Sequence, residues 1–283
     1  MKILISTDIE GVAELTDYKE ANKFNKKYNN IKINIIRKIL KLYSLLINKK
    51  YKKFQKIMTY ELLNICKILK NDNIVISDAH GDGRNLKNKN FNKNIKIIKG
   101  FTSSLDGMVK GIDSSFDGVI LHGYHSGGGT GLSPVAHTFN SKTIEYIKLN
   151  GKVIGETTIA LYTCALYNVP VFYIEGDEGA VLEAQEINKN IISTVTKSFN
   201  KKGKIKKADE VLASINKDLT NAIKQLNEDK TLFLVNMPNK FNIEIQFKNK
   251  NHRIWQKENI IRIDEYKIKY STSNFVDILK LLR

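Results

Sequence analysis

The opening eleven residues constrain this chain more than any other stretch: Met1-Lys-Ile-Leu-Ile-Ser-Thr-Asp-Ile-Glu-Gly11. Lys2 to Thr7 is short, apolar and β-branched, and a glycine soon stops it, which predicts a buried strand. Asp8 and Glu10 follow at its carboxyl end. Residues two apart in an extended chain point to the same side. Both carboxylates can therefore face one point just beyond the strand, where open α/β sheets bind ligands. Two acids so close are costly unless a cation sits between them. The same residues also suit an ordinary turn with solvated acids, so the rest of the chain has to decide.

Further strands are expected at Asn73 to Ser77, Asn94 to Ile98, Asp117 to Tyr124 and Val169 to Ile174. Helices fall between them. A basic amphipathic one contains Ile35, Ile36, Ile39, Leu40, Tyr43, Leu46 and Ile47, and another runs from Ile57 to Leu69. Ser103 to Lys110, Glu156 to Tyr167 and Glu178 to Ile191 also read as helical. Thr143 to Ile154 reads as a hairpin turned by Asn150-Gly151. Strands alternating with helices imply a mostly parallel sheet with helices on both faces. Lys201 to Lys207 is strongly basic and marks a boundary. The expected division is a catalytic domain at 1–200, with a Lys/Asn-rich insert at about 25–52, and a smaller α+β domain at 205–283. That second unit is expected to hold a helix from Ala208 to Asn227, strands near Leu232 to Val235, Ile243 to Phe247 and Tyr266 to Tyr270, and a final helix from Asn274.

Composition matters for partners. The 283 residues carry a net charge of +17. Such a charge suits nucleic acid or an anionic membrane. Here, however, Lys, Asn and Ile are abundant everywhere, without arginine-rich or aromatic clusters. The charge reads as background, and neither nucleic acid nor a membrane is expected as partner. No apolar run is long enough to span a bilayer. The chain enters a strand at once, so no secretory leader is expected. Cys66 and Cys164 lie in apolar helical patterns and read as reduced core residues. Together these favour the cytoplasm.

The chemistry concentrates at strand ends. His80 follows the second strand and His125 the fourth. Asp8, Glu10, His80 and His125 should meet at one edge of one sheet, and Glu156 can reach it. Three carboxylates and two imidazoles suit two divalent metals, with Asp8 as the bridge. Glu156 has a plainer reading as an acid favouring a helix dipole. His122 reads as a core or supporting histidine, and His252 as a surface residue. The loop Ser126-Gly-Gly-Gly-Thr-Gly131 precedes His137. Its glycines can approach a ligand closely or move. It lacks the Lys-Ser/Thr ending of a phosphate loop, and no Gly-x-Ser-x-Gly elbow supports a serine nucleophile.

These segments resemble the DppA-like D-aminopeptidases, metallopeptidase family M55. The matching stretches are Ser6-Thr-Asp-Ile-Glu-Gly11, Ile57-Met-Thr59, Ser77-Asp-Ala-His80, Met108 to Asp113 with Phe116-Asp-Gly118, Gly123-Tyr-His125, His137, Val153-Ile-Gly-Glu156, and Val169-Pro-Val171 with Gly176-Asp177. They occur in family order. The insert at about 25–52 and the loop from His125 to His137 are longer than the family pattern, and the C-terminal part matches mainly around Tyr266 to Leu282. The resemblance implies a di-zinc site: Asp8, Glu10 and His80 on one ion, and Asp8, His125 and Glu156 on the other. It places His137 at the catalytic histidine. It also implies hydrolysis of short peptides with N-terminal D-amino acids, in a homo-oligomer, specifically a decamer. Two rivals are another di-metal hydrolase, such as an amidase or phosphoesterase, and a non-catalytic metal- or peptide-binding protein.

Overall fold

The computed structural model describes residues 1–23, 34–100, 105–250 and 258–282. His252, part of the insert and the start of the segment expected to be helical at Ser103 lie outside the described residues.

Six strands form one sheet: β1 (Lys2–Thr7), β2 (Asn73–Asp78), β3 (Lys96–Lys99), β4 (Gly118–Tyr124), β7 (Val171–Asp177) and β8 (Ile192–Lys197). Their order is β3-β2-β1-β4-β7-β8, and every pairing is parallel. β4 and β7 are buried along their whole length because helices cover both faces. Alternate residues divide between two cores. Ile3, Ile5 and Ile120 pack with α2 (Asn34–Ile68) and α5 (Ala208–Glu228) on one face. Leu4, Val119 and Leu121 pack with α3 (Glu156–Leu166) and α4 (Glu178–Ile187) on the other. The short α1 (Tyr18–Ala21) lies against α2.

A second, antiparallel sheet has the order β10-β11-β9-β5-β6. Its strands are β5 (Ile144–Leu149), β6 (Lys152–Ile154), β9 (Phe241–Phe247), β10 (Ile261–Arg262) and β11 (Lys267–Thr272). Helix α6 (Phe275–Leu281) packs on it through Phe275, Ile278 and Leu279. Asn150 and Gly151 turn β5 into β6 with φ of 50° and 87°, both positive as a two-residue hairpin of this type needs. Pairing crosses the basic boundary both ways. The β5–β6 hairpin joins β9, and α5 joins the core of the parallel sheet.

Four elements differ from expectation. The described part of the segment expected to be helical from Ser103 to Lys110 holds only a 3-10 turn, Gly107–Val109. The two helices expected between residues 35 and 69 are one, Asn34–Ile68. No glycine or proline interrupts that stretch, so nothing stops it. The expected helix to Ile191 ends at Ile187, and Ile192–Lys197 becomes edge strand β8. Its serine and threonines dilute the apolar signal of a strand. The strand expected near Leu232 to Val235 is instead a 3-10 turn, Lys230–Phe233. The Asp229 carboxylate accepts from the Thr231 amide at 2.9 Å and its hydroxyl at 2.6 Å, which winds the chain there. Cys66 and Cys164 are free and buried, and burial pushes the Cys66 thiol up to about 12. Among the described residues, no helix is long and apolar enough to cross a membrane.

Candidate metal centre

The sheet reverses direction at β1: the chain moves outward through β2 and β3, then returns to place β4 on the other side. Crevices at such switch points, beyond the carboxyl ends of the strands, are where open α/β sheets bind ligands. Asp8 and Glu10 follow β1, His80 follows β2, and His125 follows β4. Gly123 makes the close approach possible. Its φ is +69°, and a Cβ there would lie 2.3 Å from the Asp8 carbonyl oxygen.

Glu156 arrives from α3, and not merely to favour the helix dipole. The amides at that helix start are taken by Glu183 of α4: its Oε1 accepts from Gly155 N at 2.8 Å and Thr158 N at 2.9 Å. Glu156 is thereby free to turn away. Its Oε1 accepts from Phe139 N at 2.8 Å and lies 3.7 Å from His125 Nε2.

Asp8 stands between two half-sites. Its Oδ1 lies 3.1 Å from His80 Nδ1, whose other neighbour is Glu10 Oε2 at 2.8 Å. Its Oδ2 lies 3.6 Å from His125 Nε2. His125 Nδ1 donates to the Ser126 carbonyl at 3.0 Å, which leaves Nε2 as the bare nitrogen. His137 joins the second half. Its ring stacks on His125 with centroids 4.3 Å apart and planes 6° apart. His137 Nδ1 donates to Val135 O at 2.9 Å, so its Nε2 is also free.

The electrostatics are those of a site built for cations. Burial raises the Asp8 carboxyl, and Glu10 adds to the rise. Burial also opposes charge on Glu10, but His80 outweighs it and holds that carboxyl well below its usual range. His80 is penalised by burial, yet Glu10 and Asp8 lift it well above an ordinary imidazole. Burial, then the Asp8 charge, pushes Glu156 up to about 8. Both Glu10 carboxylate oxygens and His125 Nε2 are buried without a hydrogen-bond partner. Orphaned acceptors facing one another suit divalent metal, and the donors sort into Asp8, Glu10 and His80 on one side and His125, His137 and Glu156 on the other.

The structure thus brings together all five expected ligands and His137. His122 stays apart, beneath the sheet edge between Glu61 and Glu175. Ser126 is no nucleophile candidate, because its hydroxyl donates to Asp177 at 2.8 Å. The first part of the glycine loop is packed, whereas Gly129 and Gly131 are exposed. Side chains at Gly127 and Gly128 would strike Gly155 and the Glu145 carbonyl at 2.7 and 2.6 Å. A cavity of about 160 Å³ covers the site, and Tyr18, Asn22, Met108 and Phe139 line it as well. Sequence reading missed these four; only the proximity of Tyr18 and Asn22 to β1 could have hinted at them. Asn22, His80 and Gly81 also border a groove of about 780 Å³ that carries Lys23, Lys49, Lys52, Arg84 and Lys87.

A parallel α/β sheet with carboxylates and imidazoles converging on its switch point defines a metal-site enzyme of the hydrolase kind. The model of the Peptidase M55 family, described as D-aminopeptidase, matches residues 1–283, and the chain belongs to that family. It is an aminopeptidase. A relative, the D-aminopeptidase of Bacillus subtilis (strain 168), is 25% identical over 263 residues, covering 90% of this chain and 84% of its own length. A solved structure, the "Zn-dependent D-aminopeptidase DppA from Bacillus subtilis, a self-compartmentalizing protease", shares the fold: the TM-score is 0.79 at 19% identity, over 100% of this chain and 95% of that one.

Proposed function

We propose that this chain is a cytoplasmic di-zinc aminopeptidase that hydrolyses short peptides with N-terminal D-amino acids. The observation that carries the reading is the set Asp8, Glu10, His125 and Glu156, buried, with the partly buried His80, in which carboxylate oxygens and an imidazole nitrogen are left unpartnered. Glu10, His80 and Asp8 Oδ1 would hold one ion, and His125, Glu156 and Asp8 Oδ2 the other. When bound, the zinc pair supplies Lewis acidity toward the scissile carbonyl and lowers the pKa of a water. The zinc dependence described for the solved relative, and the family's own description, support this choice of metal and substrate.

The protein groups do the rest. Hydrolysis joins the oxygen of water to the carbonyl carbon and breaks the C–N bond. The leaving nitrogen needs a proton. His137 is the catalytic residue. Tethered through Nδ1 and stacked on His125, it presents Nε2 to the cavity, where it takes a proton from the attacking water and, once protonated, either passes it to the leaving nitrogen or donates a hydrogen bond to the developing oxyanion. Tyr18, edge-on to His137 at 5.1 Å, limits the ring's freedom. The basic groove beside His80 would draw the carboxylate end of a short peptide.

We also propose a homo-oligomer, with ten copies as the family expectation. Ile39, Leu42 and Leu45 on the first turns of α2 are 61%, 60% and 60% exposed, and Ile36 and Leu46 extend the patch. Contiguous apolar surface of this kind marks an interface. The self-compartmentalizing description of the solved relative supports the same reading. The test is metal analysis together with a substrate panel: D-Ala-D-Ala, its L,L counterpart and para-nitrophenyl phosphate. Zinc-dependent cleavage of the D,D dipeptide is expected. Preference for the phosphate ester, or an inert zinc-loaded protein, would overturn the proposal.

A further inference from the structure

Behind the reaction site lies a second acid–histidine cluster, on the sheet face covered by α2. It joins Glu61 of α2, His122 of β4 and Glu175 of β7, all fully buried. His122 Nε2 lies 3.3 Å from Glu61 Oε2 and 3.3 Å from Glu175 Oε2. Neither contact is a hydrogen bond: His122 Nε2, Glu61 Oε2 and Glu175 Oε1 are all buried without a partner.

Thr7 Oγ1 lies 2.7 Å from His122 Nδ1 and 3.4 Å from the Asp8 carbonyl oxygen. With Nδ1–H donated to Thr7, Nε2 carries a lone pair. Burial lowers His122 below an ordinary imidazole, which also favours that neutral form. A lone pair then faces two carboxyl groups in a sealed space, and three acceptors repel unless a proton or a cation lies between them. A proton shared with one glutamate would draw that pair to about 2.7–2.9 Å and leave the other behind. The two distances are instead equal and longer. Donors on a tetrahedral zinc, with bonds of about 2.0–2.1 Å, sit about 3.3–3.4 Å from one another.

We propose that Glu61, His122 and Glu175 form a separate, structural site for a divalent transition metal of the zinc class. The groups around it are those that orient metal ligands. Ala13 N donates to Glu61 Oε1 at 3.1 Å, Gly123 N to Glu175 Oε2 at 2.8 Å, and Thr7 holds the imidazole. The unpartnered Glu175 Oε1 offers a fourth donor. Lys197 is buried nearby, but its ammonium donates to the Glu10 and Val12 carbonyls at 2.7 and 2.8 Å. The ion would tie α2 to β4 and β7. Through Ala13 and Gly123 it would brace the turns that carry Glu10 and His125. Because the cluster is sealed, the metal would enter during folding and leave only on unfolding.

The test uses full-length protein made in zinc-supplemented cells, dialysed in the folded state against a chelator, and analysed for metal. One chelator-resistant zinc per chain is expected in the wild type and none in His122→Leu. The count at the reaction site does not enter this difference, so failure here leaves the aminopeptidase reading intact. No resistant zinc in the wild type, or the same amount in His122→Leu, would overturn the site. If His122→Leu does not fold, diffraction from wild-type crystals at the zinc edge decides. An anomalous peak among Glu61, His122 and Glu175 supports the metal, and its absence means that the cluster is held by shared protons.

Discussion

Two clusters of glutamate and histidine lie within one fold, built from the same chemical groups on neighbouring strands. The first stands past the ends of β1, β2 and β4, where backbone leaves the sheet and a cavity opens over Asp8, Glu10 and Glu156. The second hangs from the interior of β4 and β7, with α2 laid over it. Donor type does not distinguish them; access does. A metal at strand ends can be reached by substrate, whereas one under a helix can only hold elements together. The boundary between them is thin: Thr7 belongs to the inner cluster and Asp8 to the outer.

The largest expected effect breaks the outer cluster alone. Asp8→Ala removes the carboxylate that faces both half-sites, so peptide hydrolysis should fall to background and the accessible metals should be lost. The chelator-resistant equivalent should remain. Metal analysis of this variant beside the wild type checks it; two accessible zincs with full activity would mean that the ligands are misassigned. Next comes His137→Ala, which takes away a proton carrier and no ligand. Turnover should drop roughly 10²–10⁴-fold while metal content stays. Loss of zinc would move His137 into the ligand set, beside His125 and Glu156.

A pH experiment sharpens the contrast in stability. Burial pushes Glu61, Glu156 and Glu175 each up to about 8, against an ordinary 4.5. Without metal, the folded chain keeps protons that the unfolded chain has already released. The contribution of these groups is full below pH 4.5 and is lost as pH rises to about 8. Chain refolded in chelator should therefore lose several degrees of Tm over that interval. Zinc should flatten the curve, since it replaces the protons. A chelated chain whose Tm is level from pH 5 to 8 would contradict the assigned environments.

The smallest effect on chemistry comes from the other half of α2, the helix whose buried half holds Glu61. Leu42→Lys with Leu45→Lys should shift light-scattering mass from an assembly toward the 32.3 kDa chain, with little change in dipeptide turnover. An unchanged mass would make the exposed leucines surface decoration.

The outer site was legible in sequence because it is local to strand ends. Asp8 and Glu10 share a side by the two-residue period, and His80 and His125 each follow an apolar run that ends in a turn. The parallel sheet was legible for the same reason: alternation of strand and helix leaves few other topologies. Glu156 was ambiguous from residues alone, since an acid in a first helical turn satisfies the dipole. Only Glu183, packed from α4, frees it to face His125. The unbroken course of α2 depends on nothing stopping it, and β8 on pairing with β7; neither shows in a local window. The inner cluster lay furthest from view. Glu61, His122 and Glu175 are far apart along the chain, and each alone looks like a misplaced polar residue in an apolar run. By itself the sequence determined which residues lie at strand ends and hence which could meet substrate. Only the tertiary structure decided that three buried polar residues face one another, because helix-on-sheet packing sets distances that no period along the chain contains.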